Sequence, residues 1–421
     1  MSRLSTRLAV AASSAAIVLG SFIAPALAVD IEVSGNGASS NSTVNFNQNN
    51  TTNVTQNNTA NVTNNVNVSQ NTGNNDANKN TGGDVNVKTG DANSNVTVNN
   101  TVNSNQAEVN PCCPGNVTVK VSGNGAKSDN DVTVNSTHNV TIDQDNYAYI
   151  KNNVKVDQNT GENDANRNTG GNVSVTTGDA NSDVSVSNEA NVNAAEVSSS
   201  GGSSGSFSVS VTGNGANSDN DVYLALGSNT NIDQDNHANI SNKVSVEQNT
   251  GENDANKNTG GDVSVTTGDA NSTVDVSNEA NGNWAKVDPC GCVLDGSIKV
   301  AGNGADSNND VTLNLGSSSD ISQNNDFSCG KGQETWNIWF RDGKKNCNDV
   351  YVDQDTGNND ANKNTDFKGE PSITTGDSSS DVNVNNTANS NTVGNVDLTG
   401  DHVTLSVNLE GLLALLLGLL H

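Results

Sequence analysis

QNTGENDANKNTGGDVSVTTGDANS, residues 248–272, decides how the rest of the chain is read. It recurs as QNTGENDANRNTGGNVSVTTGDANS at 158–182 and as QNTGNNDANKNTGGDVNVKTGDANS at 70–94. A looser copy, QDTGNNDANKNTDFKGEPSITTGDS, follows at 354–378. Taken singly, a segment so rich in Gly, Asn and Asp suggests a phosphate loop or a calcium site. Taken four times beside Val-x-Val pairs, it is the turn-and-ladder part of a repeating unit.

Working outward, Gly-Asn-Gly-Ala marks each copy at Gly35, Gly123, Gly213 and Gly302, at spacings of 88, 90 and 89 residues. Each unit opens on an alternating pair: Ile31/Val33, Val119/Val121, Val209/Val211 and Ile298/Val300. Another pair precedes the quoted segment, at Val66/Val68, Val154/Val156, Val244/Val246 and Val350/Val352. Alternation of Val or Ile with polar residues predicts short strands with one buried face. The Gly, Asn and Asp between them predict turns, because these residues tolerate positive φ and bond their own backbone. Strands of about three to five residues do not hold as isolated hairpins. Copies laid on one another bury rows of Val and Ile and align identical Asn and Thr side chains into ladders. The chain is therefore expected to be all-β, a β-solenoid-like stack of four ~89-residue repeats. Four tandem β-sandwich domains suit the same repeat length and stand as the alternative. The repeats carry no recurring core Trp or Tyr, which speaks against that alternative.

The expected division is a leader at 1–28, repeats at 29–110, 111–198, 199–288 and 289–395, and a C-terminal strand with an apolar tail at 396–421. Arg3 and Arg7 precede an apolar run ending in Ala26-Leu27-Ala28, the pattern of a cleaved signal peptide. The chain is thus expected to be secreted, extracellular or on the cell surface, with no transmembrane span after cleavage. The tail GLLALLLGLL at 411–420 is shorter than the ~18 residues a spanning helix needs. A net charge of −28 disfavours nucleic acid and anionic membrane as partners and permits cations. Aromatic residues make up only 3% of the chain, too few for a thick globular core.

Six cysteines in an exported chain point to disulfides. Cys329 and Cys347 flank an insertion confined to repeat four, at 326–349, and are expected to pair. Cys112, Cys113, Cys290 and Cys292 lie in linkers, and their partners stay open. The insertion is where specificity is expected, since Trp336, Trp339 and Phe340 sit beside Arg341. Such a group stacks on sugar rings or anchors a protein partner, or else folds back as a plug. Asp143, Asp145, Asp179, Asp183, Asp233, Asp235 and Asp269 are candidate calcium ligands, since hard cations take carboxylate, amide and carbonyl oxygens. The competing and favoured expectation is that these residues close turns and keep the surface soluble. His138, His237, His402 and His421 share no ligand spacing and are expected on the surface. No enzyme is expected, because the acidic clusters recur whereas a catalytic site is normally single.

The motif Gln-x4-Asn-x-Ala at Gln70/Asn75/Ala77, Gln158/Asn163/Ala165, Gln248/Asn253/Ala255 and Gln354/Asn359/Ala361 resembles the repeats of curlin, the bacterial amyloid-fibre subunit. That resemblance implies Gln and Asn lining a β-solenoid; the units here are longer and lack the second Gln after the Ala. The full pattern, GNGA…VxQ…NTGxNDANxNTGG…TTGDA, is similar to Asn-rich tandem-repeat secreted bacterial surface proteins, which implies a surface location. The expected function is a structural or adhesive cell-surface protein that forms a scaffold, fibre or surface layer. Its expected partners are further copies or other envelope components. The alternative is a calcium-stabilised extracellular binding module that recognises glycan or protein through the Trp-rich loop.

Overall fold

The Val-x-Val pairs of one repeat belong to one continuous strand. In β8 (Asp129–Asn159), 31 residues long, every even-numbered side chain from Asn130 to Gln158 is buried and every odd-numbered one is not. The inward row includes Val132, Val134, Val140, Ile142, Ile150, Val154 and Val156, but also Asn130, Gln144, Asn146, Asn152 and Gln158. The expectation of strands of three to five residues is corrected accordingly. The Asn and Gln between the pairs continue the alternation instead of turning the chain, because their amides find partners in the neighbouring copies.

The computed structural model describes residues 4–14, 18–23, 29–110, 117–197, 207–287, 296–301, 303–329, 347–365 and 370–394. Each repeat forms one rung. The first comprises β3 (Val29–Ser34), β4 (Asn41–Asn71), β5 (Val85–Lys88) and β6 (Ala92–Asn110). The second comprises β7 (Val117–Ser122), β8, β9 (Val173–Thr176) and β10 (Ala180–Val197). The third comprises β11 (Phe207–Thr212), β12 (Asp219–Asn249), β13 (Val263–Thr266) and β14 (Ala270–Val287). The fourth comprises β15 (Gly296–Ala301), β16 (Asn308–Cys329), β17 (Asn348–Asp355), β18 (Ser372–Thr374) and β19 (Ser378–Val393). Equivalent strands pair in parallel, so that Gln56, Gln144, Gln234 and Gln323 stand in one column. Four sheets result, and each repeat gives a strand to every one of them. This is the stacked, solenoid-like all-β architecture, and tandem sandwiches are excluded because no repeat owns a sheet.

Two layers face each other. The long strands β4, β8 and β12 pack against β6, β10 and β14 over most of their length, and against β3, β7 and β11 at their beginning. The core is accordingly segmented. Valines of β3, β7 and β11 meet Val132, Val134, Val222 and Leu224 at one end. Val66/Val68, Val154/Val156 and Val244/Val246 meet Val96/Val98, Val184/Val186 and Val274/Val276 further along. Rows of amides separate these apolar blocks. A 31-residue strand runs roughly 100 Å, while rungs about 4.8 Å apart put the first and fourth only ~15 Å apart.

Two further strands, β1 (Leu4–Ser14) and β2 (Val18–Ile23), pair in parallel with β6 on its free side. The linkers at 111–116, 198–206 and 288–295 lie outside the described residues, and with them Cys112, Cys113, Cys290 and Cys292. The segment 395–421, which carries the apolar tail, lies outside them as well. Among the described residues no helix is long and apolar enough to cross a membrane.

Candidate functional surface: amide ribbons, acidic columns and the insertion

The interior polar residues form two ribbons that run through all four rungs. In the first, Asn64 gives its amide to Asn100 across the layer (2.8 Å) and to Asn152 in the next rung (2.8 Å). Asn100 then donates to Asn152 and Asn188, and Asn152 to Asn188 and Asn242. The zigzag continues through Asn242, Asn278 and Asn348 and ends on Asn386. Each inner amide thus spends both N–H groups and accepts twice, which satisfies a buried polar group that would otherwise be costly. The second ribbon joins Asn58, Asn105, Asn146, Asn193, Asn236, Asn283, Asn325 and Asn391 in the same way. Glutamine columns flank them. Gln158 donates to Gln70 (2.9 Å) and to the Asn181 carbonyl of the facing layer (3.0 Å), and Gln248 repeats this with Gln158 and Asn271.

The segment at 248–272 is the arch that closes the rung. Gln248 and Asn249 end β12, the chain turns through 250–262, and β13 leads into β14 at Ala270. In the equivalent arch of rung 2, at 158–182, Asn163 donates to Asn253 Oδ1 (2.8 Å) and to the Thr160 carbonyl (3.0 Å), so the same side chain shapes the turn and ties it to the next rung. Gly161 is needed there because an added Cβ would lie 2.0 Å from the Gly251 carbonyl oxygen. Glu162 and Arg167 take left-handed φ values of 55° and 61° where the arch bends.

One recurring device escaped sequence reading. Asn103, Asn191, Asn281 and Asn389 all adopt φ near 60° and offset the return strand by one residue. Asn191 Nδ2 donates to the His237 carbonyl (2.8 Å) and to Asn281 Oδ1 (3.0 Å). The signal was the Asn three places after the shared Asn100, Asn188, Asn278 and Asn386, a residue type that tolerates the left-handed region.

The seven candidate calcium aspartates do not converge. Asp143 and Asp145 align with Asp233 and Asp235 in columns on the outer face of the long strands. Asp179 and Asp269 belong to another column, where Asp179 Oδ1 accepts the Asp269 N–H (3.0 Å) and Asp269 Oδ1 accepts the Asp377 N–H (2.8 Å). Asp183 lies apart, opposite Thr273. Among the described residues no group of three or more His, Cys, Asp or Glu is placed to hold a metal ion. What stacking creates instead is repulsion. Burial, with Asp143, Asp235 and Asp233 alongside, raises the Asp145 carboxyl above its usual range. Burial and the neighbours Asp254 and Asp76 do the same to Asp164. Elsewhere opposite charges meet across rungs, in Lys120–Glu32 (2.7 Å) and Lys286–Glu196 (2.9 Å).

The insertion interrupts the long strand of rung 4 between β16 and β17. Cys329 and Cys347 are joined by the expected disulfide, with Cα atoms 4.4 Å apart at the base. Trp336, Trp339, Phe340 and Arg341 lie outside the described residues. Of the histidines, His237 is on the outer face, 2.8 Å from Asp326 Oδ2 and tilted against Tyr147. His138 corrects the surface expectation. Its even position turns it inward in β8, and burial lowers its pKa. Protein-family models, curated proteins and solved structures contain no match to this chain.

Proposed function

We propose that the chain is a secreted structural protein of the cell surface that builds a scaffold, fibre or surface layer. The observation that carries this reading is the pair of amide ribbons running uninterrupted through four rungs. The arch segment, repeated four times within the chain, is spent on the same stacking. A chain built this way offers a long, rigid, acidic surface. The disulfide-closed insertion, with Trp336, Trp339, Phe340 and Arg341 in its sequence, is assigned the contact role toward glycan or protein. Immunogold electron microscopy of intact cells tests the location: label confined to the cell interior refutes the reading. A W336A/W339A variant tests the contact role, since it should lose binding on a glycan array or to envelope fractions while its thermal melt stays unchanged.

A further inference from the structure

The two end rungs are complementary. The ribbon amides and the central valine pairs have counterparts in all four repeats, so rung 4 can continue into rung 1 as rung 3 continues into rung 4. Asn348, Val350, Val352 and Gln354 repeat Asn64, Val66, Val68 and Gln70, while Val382, Val384, Asn386 and Asn391 repeat Val96, Val98, Asn100 and Asn105. Solenoids that stay separate usually end in a polar capping repeat. Here the terminal rung is apolar where the inner ones are: Val382 and Val384 are 42% and 46% exposed, whereas their rung-3 equivalents Val274 and Val276 are buried. Ile298 and Val300 in β15, which also faces the long strands, are 47% and 45% exposed.

The hydrogen bonding has matching ends too. Among the described residues Asn64 donates two side-chain bonds along its ribbon and accepts none, whereas Asn386 accepts two and donates none. The capacity left over is complementary: Asn64 Oδ1 is open to accept at rung 1, and Asn386 Nδ2 is open to donate at rung 4. The free edge of β6 also takes a parallel strand, because β1 lies on it in continuous register from Leu4↔Ala92 to Ser14↔Val102.

We propose that a second copy of this chain is the partner of both end rungs. The outer edge of β19 in one copy pairs with the β6 edge of the next, with Val384 opposite Val98 and Asn386 opposite Asn100. This head-to-tail contact does not close on itself and generates an open fibre. The segment 4–23 occupies the β6 edge until it is removed, so cleavage after Ala28 opens the site for growth. The proposal rests on the scaffold reading and specifies its contact.

The test uses the secreted protein and two edge variants, V382K/V384K and I298K/V300K. Both place lysines at positions already open to solvent, so each folded chain should keep the parent's melting temperature. Sedimentation velocity and negative-stain microscopy should show fibres for the parent and single particles for both variants. V98C/V384C chains should cross-link into a ladder of disulfide-bonded multimers on a non-reducing gel, and V98C/N386C, one pair out of register, should not. Monodisperse parent protein overturns the proposal, as do fibres that survive both lysine pairs in folded variants. Surface label on cells together with monomers in solution would overturn this contact alone and leave the scaffold reading standing.

Discussion

Asn188→Ala removes four hydrogen bonds at once and measures what the ribbon contributes. Asn188 accepts from Asn100 (2.6 Å) and Asn152 (2.9 Å), and donates to Asn242 (3.0 Å) and Asn278 (2.7 Å), at a fully buried position. After truncation the Asn242 and Asn278 carbonyls each keep one donor, from Asn152 and Asn242 respectively. Asn100 and Asn152 are worse placed, because each is left with a buried N–H that has lost its acceptor. A stranded buried donor costs about 1–3 kcal/mol, and part of that is returned because the deleted amide need not be desolvated. The expected loss is about 2–4 kcal/mol. Asn386→Ala is the control, since that residue only accepts, is exposed, and has water available to its partners. Its expected cost is below ~1 kcal/mol. Guanidinium unfolding followed by far-ultraviolet circular dichroism, at a concentration where the chain is monomeric, reads both. Rungs in a stack need not unfold together, so the comparison uses the whole curve. Equal losses for the two variants would show that the ribbon is not the stabilising element described.

Three other outcomes follow from the same geometry. Gly161→Ala drives a Cβ into the Gly251 backbone and should cost roughly 3 kcal/mol, whereas Gly83→Ala has only its positive φ to strain and nothing within 4 Å; similar thermal shifts would refute the close-approach account. Burial and stacked neighbours raise the carboxyls of Asp131, Asp145, Asp164, Asp221, Asp235 and Asp254 above the ordinary 3.8, so the folded stack binds protons more tightly than the unfolded chain. Stability should therefore rise on acidification from neutral pH through these raised values, be complete below 3.8, and be lost again as pH climbs; Glu32 and His138 act in the opposite sense but are outnumbered. A melting temperature that falls steadily from pH 7 to 4.5 would contradict this. Calcium should stabilise by relieving the same columns, to the extent that magnesium does at equal ionic strength; a saturable shift specific to calcium would instead reveal a built site.

Much of the architecture was legible because the repeat is written into the chain, and four copies of one arch leave few folds that use it. Strand length was not. Val132, Val134, Val140, Ile142, Ile150, Val154 and Val156 all share one parity, which is the mark of an unbroken strand, but local turn chemistry assigns the Asn, Thr and Asp between them to bends. That chemistry describes an isolated segment. In the stack each such Asn is offered an identical amide by the next copy, and a partner 88 or 90 residues away outweighs a bond to its own backbone. The left-handed Asn191 series was marked only by its spacing of three from the ribbon Asn, since residue type alone does not distinguish an Asn that kinks a strand from one that lines it. The disulfide at Cys329–Cys347 was readable because both residues bracket the longest interruption within a repeat. The grouping of the aspartates was legible only in part: the register sets Asp143 and Asp145 beside Asp233 and Asp235 and stacks Asp269 on Asp179, while Asp183 stands opposite Thr273.

The register has a kinetic consequence. Each rung finds its strand partners 88 to 108 residues away, about a fifth to a quarter of the chain length, which places this protein among high-contact-order topologies that fold slowly. A single rung has no neighbour to pair with, so no part of the sheet can form until a second repeat has been synthesised. A nascent chain therefore emerges without competing local structure and gains its rigidity only once two rungs have met.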